Sequence, residues 1–185
     1  RLYGIDTSNI EPEPADEPLA GRSSSALLAE VSGGLTEAIL RSLNFLMLKK
    51  DADRLLFKKI RSSGSFREIN LPLGESEINA AVVDGLTGLE KLKSAVESGK
   101  SYDLVEVMAC PGGCLHGAGL PLSLSKDELQ IRAKRIYQAD ETEPVNLPCK
   151  SPHIINLYEK LLKENSEISN RKIFYTHFEK RNVLL

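Results

Sequence analysis

The segment Glu106–Ser123, EVMACPGGCLHGAGLPLS, sets two thiols, Cys110 and Cys114, four positions apart in a turn of Pro and Gly. Glycines let a backbone come close to a metal cluster and aim N–H groups at its sulfides. The apolar run VEVM just upstream has strand character, so the thiols sit at the end of a strand. That setting suits a metal cluster better than a packed core. Two cysteines are half of what a cubane 4Fe–4S cluster needs. On residue types alone, several chemistries stay open, and the glycine frame favours an iron–sulfur site. A zinc site would draw on Cys110, Cys114, His116 and Cys149, although the x3 spacing and the lack of a second clean pair count against it. Incidental or buried thiols are a further reading. A redox dithiol lacks its usual CxxC frame.

The elements that must position this loop have their own signals. Ile78–Val83 (INAAVV) reads as a short strand. Thr87–Glu97 reads as an amphipathic helix with Leu89, Leu92 and Val96 inward and Gly99 just past its end. Tyr102–Met108 reads as the next strand. Strand, helix and strand make a βαβ unit with parallel strands. The cysteine loop leaves the C-terminal end of the second strand, where open α/β sheets place ligands. Strand alternation puts Glu106 and Met108 on one face and Val105 and Val107 on the other.

Upstream, Thr7–Ser25 is rich in Pro, Ser and acidic residues and reads as an extended lead-in. Ser32-Gly33-Gly34 interrupts an apolar region. Leu35–Lys49 then has helical spacing, with Leu35, Ile39, Leu43 and Leu46 on one stripe and Lys49-Lys50 suited to the helix C-terminus. Asp51–Arg61 reads as a second short helix or a ragged continuation, and Phe66–Leu73 as an edge strand or loop. Downstream, Lys126–Tyr137 reads as a helix capped by Ser125. Asp140–Pro152 reads as loop, and Pro152–Lys163 and Ile173–Glu179 as helices or turns. The fold class expected is α/β: a small mixed/parallel sheet with a βαβ unit, flanked by helices.

The chain has 185 residues, 41% of them apolar, enough for one domain with a real core. The net charge of −2 is spread without a broad basic face, which argues against nucleic acid as partner. No apolar run reaches the roughly 18 residues of a membrane span. The start, RLYGID, has neither an initiator Met nor the apolar region of a signal peptide, as expected of a fragment or processed product. Three cysteines do not make a disulfide framework, and a reducing cytoplasm is the expected compartment.

At the cysteine loop the chain resembles the di-iron (iron-only) hydrogenases. Their large subunit carries a signature of the form E-x-M-x-C-x-x-G-C-x-x-G-G-G-Q-P. Here it reads Glu106-Val-Met108-Ala-Cys110-Pro-Gly-Gly113-Cys114-Leu-His-Gly117-Ala118-Gly119-Leu120-Pro121. The resemblance extends in order along the chain. GID…PLAGRSSSA is similar to the family's GID…PLG-S-TGAG. SGGLTEAILRS (Ser32–Ser42) is similar to TGGVMEAALR, and AVVDGL (Ala81–Leu86) to AVVHGL. RAKRIY with NLPCKSPHIINLYEKLL is similar to the family's tail, and FYTHF (Phe174–Phe178) to its closing L-x-T-H-Y.

The resemblance implies an H-cluster, a 4Fe–4S cubane joined through one cysteine sulfur to a di-iron subcluster. Cys110 aligns with a cubane ligand, and Cys114 with the ligand that bridges the two parts. Met108 aligns with a methionine packed against the di-iron unit. Gly113 and Gly117, with Gly112 and Gly119, would let the backbone wrap the cluster. Glu106 reads as a hydrogen-bonding support for the loop or as a solvated strand residue. No residue of this chain is expected to act catalytically by itself. The family's TSCCP and MPC-x-x-K signatures, which carry the other cluster ligands, do not occur here. Residues 1–185 therefore resemble the C-terminal lobe of the large-subunit catalytic domain. Expected partners are the N-terminal lobe of the same large subunit, H2, and ferredoxin or another electron carrier. Alone, the chain is expected to hold an incomplete cluster or none and to expose an apolar cleft face.

Departures from the family form fit a divergent or sensory member better than a high-turnover catalyst. The amide of G-G-G-Q-P is lost at Leu120, and the IFGAT-type segment reads LAEVS, placing Ala29 and Glu30 where the family has Phe and Gly. Three functional readings follow: a lobe of an enzyme that interconverts H2 with protons and electrons; a sensory relative reporting H2 or redox state to a signalling partner; or a binding or assembly module carrying an ordinary iron–sulfur cluster without a di-iron unit.

Overall fold

Alternation of apolar residues along Phe66–Leu73 and Ser76–Asp84 makes two strands, β1 and β2, paired antiparallel across a tight turn at Gly74. A computed structural model describes residues 4, 9–14, 16, 21, 23–117 and 125–163 of the chain. β2 runs on through helix α3 (Leu89–Glu97) to β3 (Leu104–Met108), which pairs parallel with it. The sheet order is β1-β2-β3, and the expected βαβ unit is its second half. The fold is mixed α/β, as the sequence predicts. Helix α1 (Ser24–Leu28) precedes α2 (Gly34–Leu48), and α4 (Lys126–Thr142) and α5 (Pro152–Lys163) follow the sheet.

Register explains the two faces. Ile69, Leu71, Ala80 and Val82 point to one side, where Leu40 of α2 and Phe57 and Ile60 of the following turn close a buried core over them. Ala81 and Val83 point to the other side, and α3 covers β1 and β2 there. Glu106 and Met108 share the core-side face, while Val105 and Val107 lie exposed on the α3 side, as alternation predicts. Gly34 begins α2 where the chain crosses α1 so closely that a Cβ would sit 1.6 Å from the Leu28 carbonyl oxygen. No other residue fits there.

Several expectations need correction. The end of the lead-in is not extended, because Ser24 and Ser25 open α1 and are buried. The Leu35–Leu46 stripe of α2 is not its buried face. Leu35 and Leu46 are exposed, and the helix instead buries Thr36, Glu37, Leu40, Arg41 and Asn44. α3 buries no residue: Leu89 and Val96 are exposed and Leu92 is half-buried. Asp51–Arg61 forms only a 3₁₀ turn at Arg54–Phe57. α4 keeps its predicted Ser125 cap, as a capping box with Glu128, but runs on to Thr142, so Asp140 is helical rather than loop. Ile173–Glu179 lies outside the described residues.

Asp140 explains why α4 continues. Its fully buried carboxylate accepts from Arg41 Nη1 at 3.0 Å and from Ser24 Oγ at 2.7 Å. Arg61 forks onto Glu37, donating from Nε at 2.8 Å and Nη2 at 2.6 Å, and lies over the Tyr137 ring at 4.3 Å. Burial works to lower the Arg61 pKa, but the hydrogen bond to Glu37 and the charges of Glu37 and Asp140 outweigh it and raise the value. Burial raises the Tyr137 pKa. Two arginines and two carboxylates thus balance in one buried network. Removing one member strands the others, so Asp140→Ala is expected to cost about 3–5 kcal/mol in urea-unfolding equilibria, and Asp140→Asn less.

Candidate metal centre

β3 delivers Glu106 and Met108 to the C-terminal edge of the sheet, and the chain then turns sharply. Gly113 N–H donates to the Cys110 carbonyl at 3.0 Å, closing a turn between the two thiols. Gly113 takes φ +73°, and a Cβ there would meet the Glu30 carbonyl oxygen at 2.7 Å. Both conformation and space therefore require glycine. A 3₁₀ turn, Cys114–His116, follows. The thiols of Cys110 and Cys114 are both free and exposed.

The loop is held from three sides. The Cys114 N–H donates to the Glu30 carbonyl at 2.8 Å, and Gly113 bridges Val31 in β fashion. The Gly112 N–H donates to Asp84 Oδ1 at 2.6 Å, and the Gly85 N–H to the Met108 carbonyl at 2.8 Å. From α4, Arg132 Nη1 donates to the Leu115 carbonyl at 3.2 Å. The loop is thus preorganised by bonds to its backbone, two of them from the Asp84 and Arg132 side chains, with both cysteines left exposed.

Glu106 is not a solvated strand residue. It is 7% exposed, and its carboxylate caps α2 from a distance. Oε1 accepts from Gly33 N–H at 2.6 Å; Oε2 accepts from Thr36 N–H and Thr36 Oγ1, each at 2.7 Å. The first N–H groups of a helix lack intrahelical partners, and the Gly33 cap position has no side chain to satisfy them. An anion at that N-terminus is favourable on both hydrogen-bonding and dipole grounds. The same turn presents Glu30 and Val31 to the cysteine loop, so Glu106 supports that loop through α2 rather than by touching it.

The zinc grouping is not assembled. Among the described residues no three His, Cys, Asp or Glu side chains come together as a metal site. Cys149 stands in a separate 3₁₀ turn, Pro148–Lys150. His116 is exposed in the turn after Cys114. Beside the loop opens a cavity of about 250 Å³, lined among others by Ser32, Arg61, Arg67, Asp84, Gly112 and Tyr137. Arg67 is buried there, and burial lowers its pKa. Its Nη atoms donate to Ile60 and Ser62 carbonyls and to Ser32 Oγ, while Nε has no partner among the described residues. Ala118, Gly119, Leu120, Pro121 and the FYTHF segment with His177 lie outside the described residues.

The chain has relatives among known proteins. Residues 1–118 match the family described as the iron only hydrogenase large subunit, C-terminal domain, and residues 126–181 the iron hydrogenase small subunit. The chain belongs to the iron-only hydrogenase large-subunit family. It is 30% identical, over its whole length and 32% of that protein's, to the NADP-reducing hydrogenase subunit HndD of Solidesulfovibrio fructosivorans. It is 26% identical to the cytosolic Fe-S cluster assembly factor narfl of Danio rerio, over 94% of this chain and 43% of that one. A solved apo [FeFe]-hydrogenase from Chlamydomonas reinhardtii superposes with a TM-score of 0.68 at 25% identity, covering 96% of this chain and 51% of its own. The chain spans about a third of the length of the curated relatives it matches first. Among the described residues no helix is long and apolar enough to cross a membrane.

Sequence reasoning found the cysteine loop but missed Asp84 and the Glu30 carbonyl. Asp84 could have been found from its place at the end of β2, the strand paired with the one that carries the loop. The Glu30 contact is a backbone bond and leaves no residue-type signal. Glu106→Gln keeps the side chain's length but loses its charge and presents an N–H₂ to donors. It is expected to lower stability by about 1.5–3 kcal/mol and to speed amide hydrogen exchange at both Thr36 and Cys114, as read by exchange mass spectrometry.

Proposed function

We propose that this chain forms one side of a shared iron–sulfur centre in a hydrogenase-type protein, with Cys110 and Cys114 as two of its ligands. The observation that carries this reading is the pair of free, exposed thiols on a rigid glycine turn, with no third ligand beside them among the described residues. The donor set fits half of a cubane and leaves the other half to another surface. Cys114 takes the bridging position of an H-cluster. Met108, half-buried at the end of β3, offers a soft, uncharged contact. Gly113 and Gly117 keep side chains away from the cluster. When bound, such a cluster supplies the two-electron interconversion of H2 with protons. This chain's residues supply ligation, a preorganised loop and exclusion of bulk from the glycine side.

The N-terminal lobe of the same large subunit is the proposed partner and the source of the remaining ligands. The outward face of α2 supports it: Leu35, Leu46 and Met47 are exposed, Ile39 and Leu43 half-exposed, on a helix whose buried side carries Glu37, Arg41 and Asn44 beside Leu40. An apolar row facing out and a charged network facing in is the pattern of a helix between two bodies. Residues 1–185 then act as the C-terminal lobe, and the electron partner is ferredoxin or another carrier in a reducing cytoplasm.

A second reading has its own support. The similarity to a cluster assembly factor favours a protein that carries an ordinary 4Fe–4S cluster and no di-iron unit. Infrared spectra of the matured full-length protein separate the two. Bands of iron-bound CO and cyanide are expected, and they should vanish in Cys114→Ala. A 4Fe–4S paramagnetic signal without those bands would establish the assembly-type reading. One zinc per chain with no iron would sink both.

A further inference from the structure

Asp84 ends β2 on the face it shares with Glu106 and Met108, in register with Met108. Its Oδ1 accepts from the Gly112 N–H at 2.6 Å. Gly112 lies between the two cysteines at φ +79°. The next residue tightens the same clasp. Gly85 donates to the Met108 carbonyl, and a Cβ at Gly85 would stand 3.0 Å from Pro111 Cγ, so the ring of Pro111 rests against it. β2 thus grips both the start and the middle of the cysteine turn.

We propose that Asp84 is a positioning residue of the cluster site, one that fixes the turn between Cys110 and Cys114 and holds the bound cluster's reduction potential down. The inference rests on the cluster-ligand reading of the two cysteines. Two physical effects act in the same direction. Hydrogen bonds to cluster sulfur and local net charge both set the potential of an iron–sulfur centre. Asp84 takes the Gly112 N–H for itself, removing one donor from those a glycine turn offers to sulfides. It also sets a carboxylate beside the turn, which disfavours adding an electron nearby. Arg67, in the same cavity, acts on Asp84 with a positive charge and offsets part of that field. Such outer contacts govern both how firmly ligands are held and how a metal is tuned.

The test uses the full-length protein reconstituted with iron and sulfide. Asp84→Asn keeps an acceptor for Gly112 and loses the charge; Asp84→Ala loses both. In a redox titration followed by electron paramagnetic resonance, both variants are expected to reduce at a more positive potential than the parent. Asp84→Ala is further expected to exchange the Gly112 amide faster and to lose its cluster to a chelator about tenfold more readily. Asp84→Asn should retain the cluster as the parent does. Parent-like potentials in both variants overturn the proposal. If Asp84→Ala does not fold, the potential of Asp84→Asn decides alone: a positive shift supports the assignment and no shift overturns it. Cys110→Ala and Cys114→Ala test the underlying reading separately. If they leave cluster content unchanged, that reading fails whatever Asp84 does.

Discussion

The carboxylate of Glu106 joins the sheet, the second helix and the cysteine loop into one unit. A buried carboxylate is costly unless its lone pairs are filled, and here Gly33 and Thr36 supply three donors from a helix end that has no cap of its own. Each side solves the other's problem. β3 gains a partner for an inward charge, and α2 gains the anion its N-terminus lacks. The turn that leads into α2 is thereby fixed against β3, and it is this turn whose Glu30 carbonyl and Val31 backbone hold Cys114 and Gly113. A motif residue that never touches the loop thus controls where the loop sits. Aspartate would be one carbon too short to span the same gap, and glutamine would bring a donor to a place already filled with donors.

The two sides of α2 differ in what they meet. Its inward side meets Arg61, Asp140 and Ser24 in a charge-balanced network, and its outward side carries leucines. The network also ties together two family segments. Residues matching the large-subunit model supply Ser24, Glu37, Arg41 and Arg61, while Asp140 and Tyr137 come from the segment matching the small-subunit model. That junction is polar and buried, so it is geometrically demanding. It sets α4 at one angle, and from that angle Arg132 reaches the Leu115 carbonyl behind the cysteines.

Some elements were legible in the sequence and others were not. β2, α3 and β3 were readable because alternation and a terminal glycine are local signals, and the cysteine loop as a turn because Pro and Gly follow the strand directly. Alternation also placed Glu106 and Met108 together. The α2 stripe misled because a period-3.6 pattern reports an apolar face without saying what covers it. Here the leucines face outward, and the sequence-distant Asp140 and Arg61 make the opposite face the buried one. α3 misled for a related reason: a short helix on a small sheet lies over Ala81 and Val83 without sealing itself. Asp140 was hidden because its partners lie on α1 and α2, about a hundred residues away in sequence. The contacts that suspend the loop were the least legible, since Glu30 and Gly112 act through backbone atoms.

A shared cluster places unequal demands on its two sides. A loop that must be ordered on binding loses conformational freedom then, and affinity falls accordingly. The Cys110–Cys114 turn has already met that cost: Gly113 closes it from within, Asp84 and Glu30 hold it from either flank, and Arg132 braces the residue beyond. On the proposed ligand reading, its thiols serve as a fixed half-site, to which the other ligands are brought. On the cluster-ligand reading, the freedom to open and admit a cluster then belongs to the opposite surface and to the apolar contact made by α2. The same reasoning explains why the restraints end on the loop's backbone, whether they come from the Asp84 carboxylate, the Arg132 guanidinium or the Glu30 carbonyl. Such bonds fix the chain while leaving both sulfurs unencumbered, whereas a side chain reaching the thiols directly would compete with the metal for them.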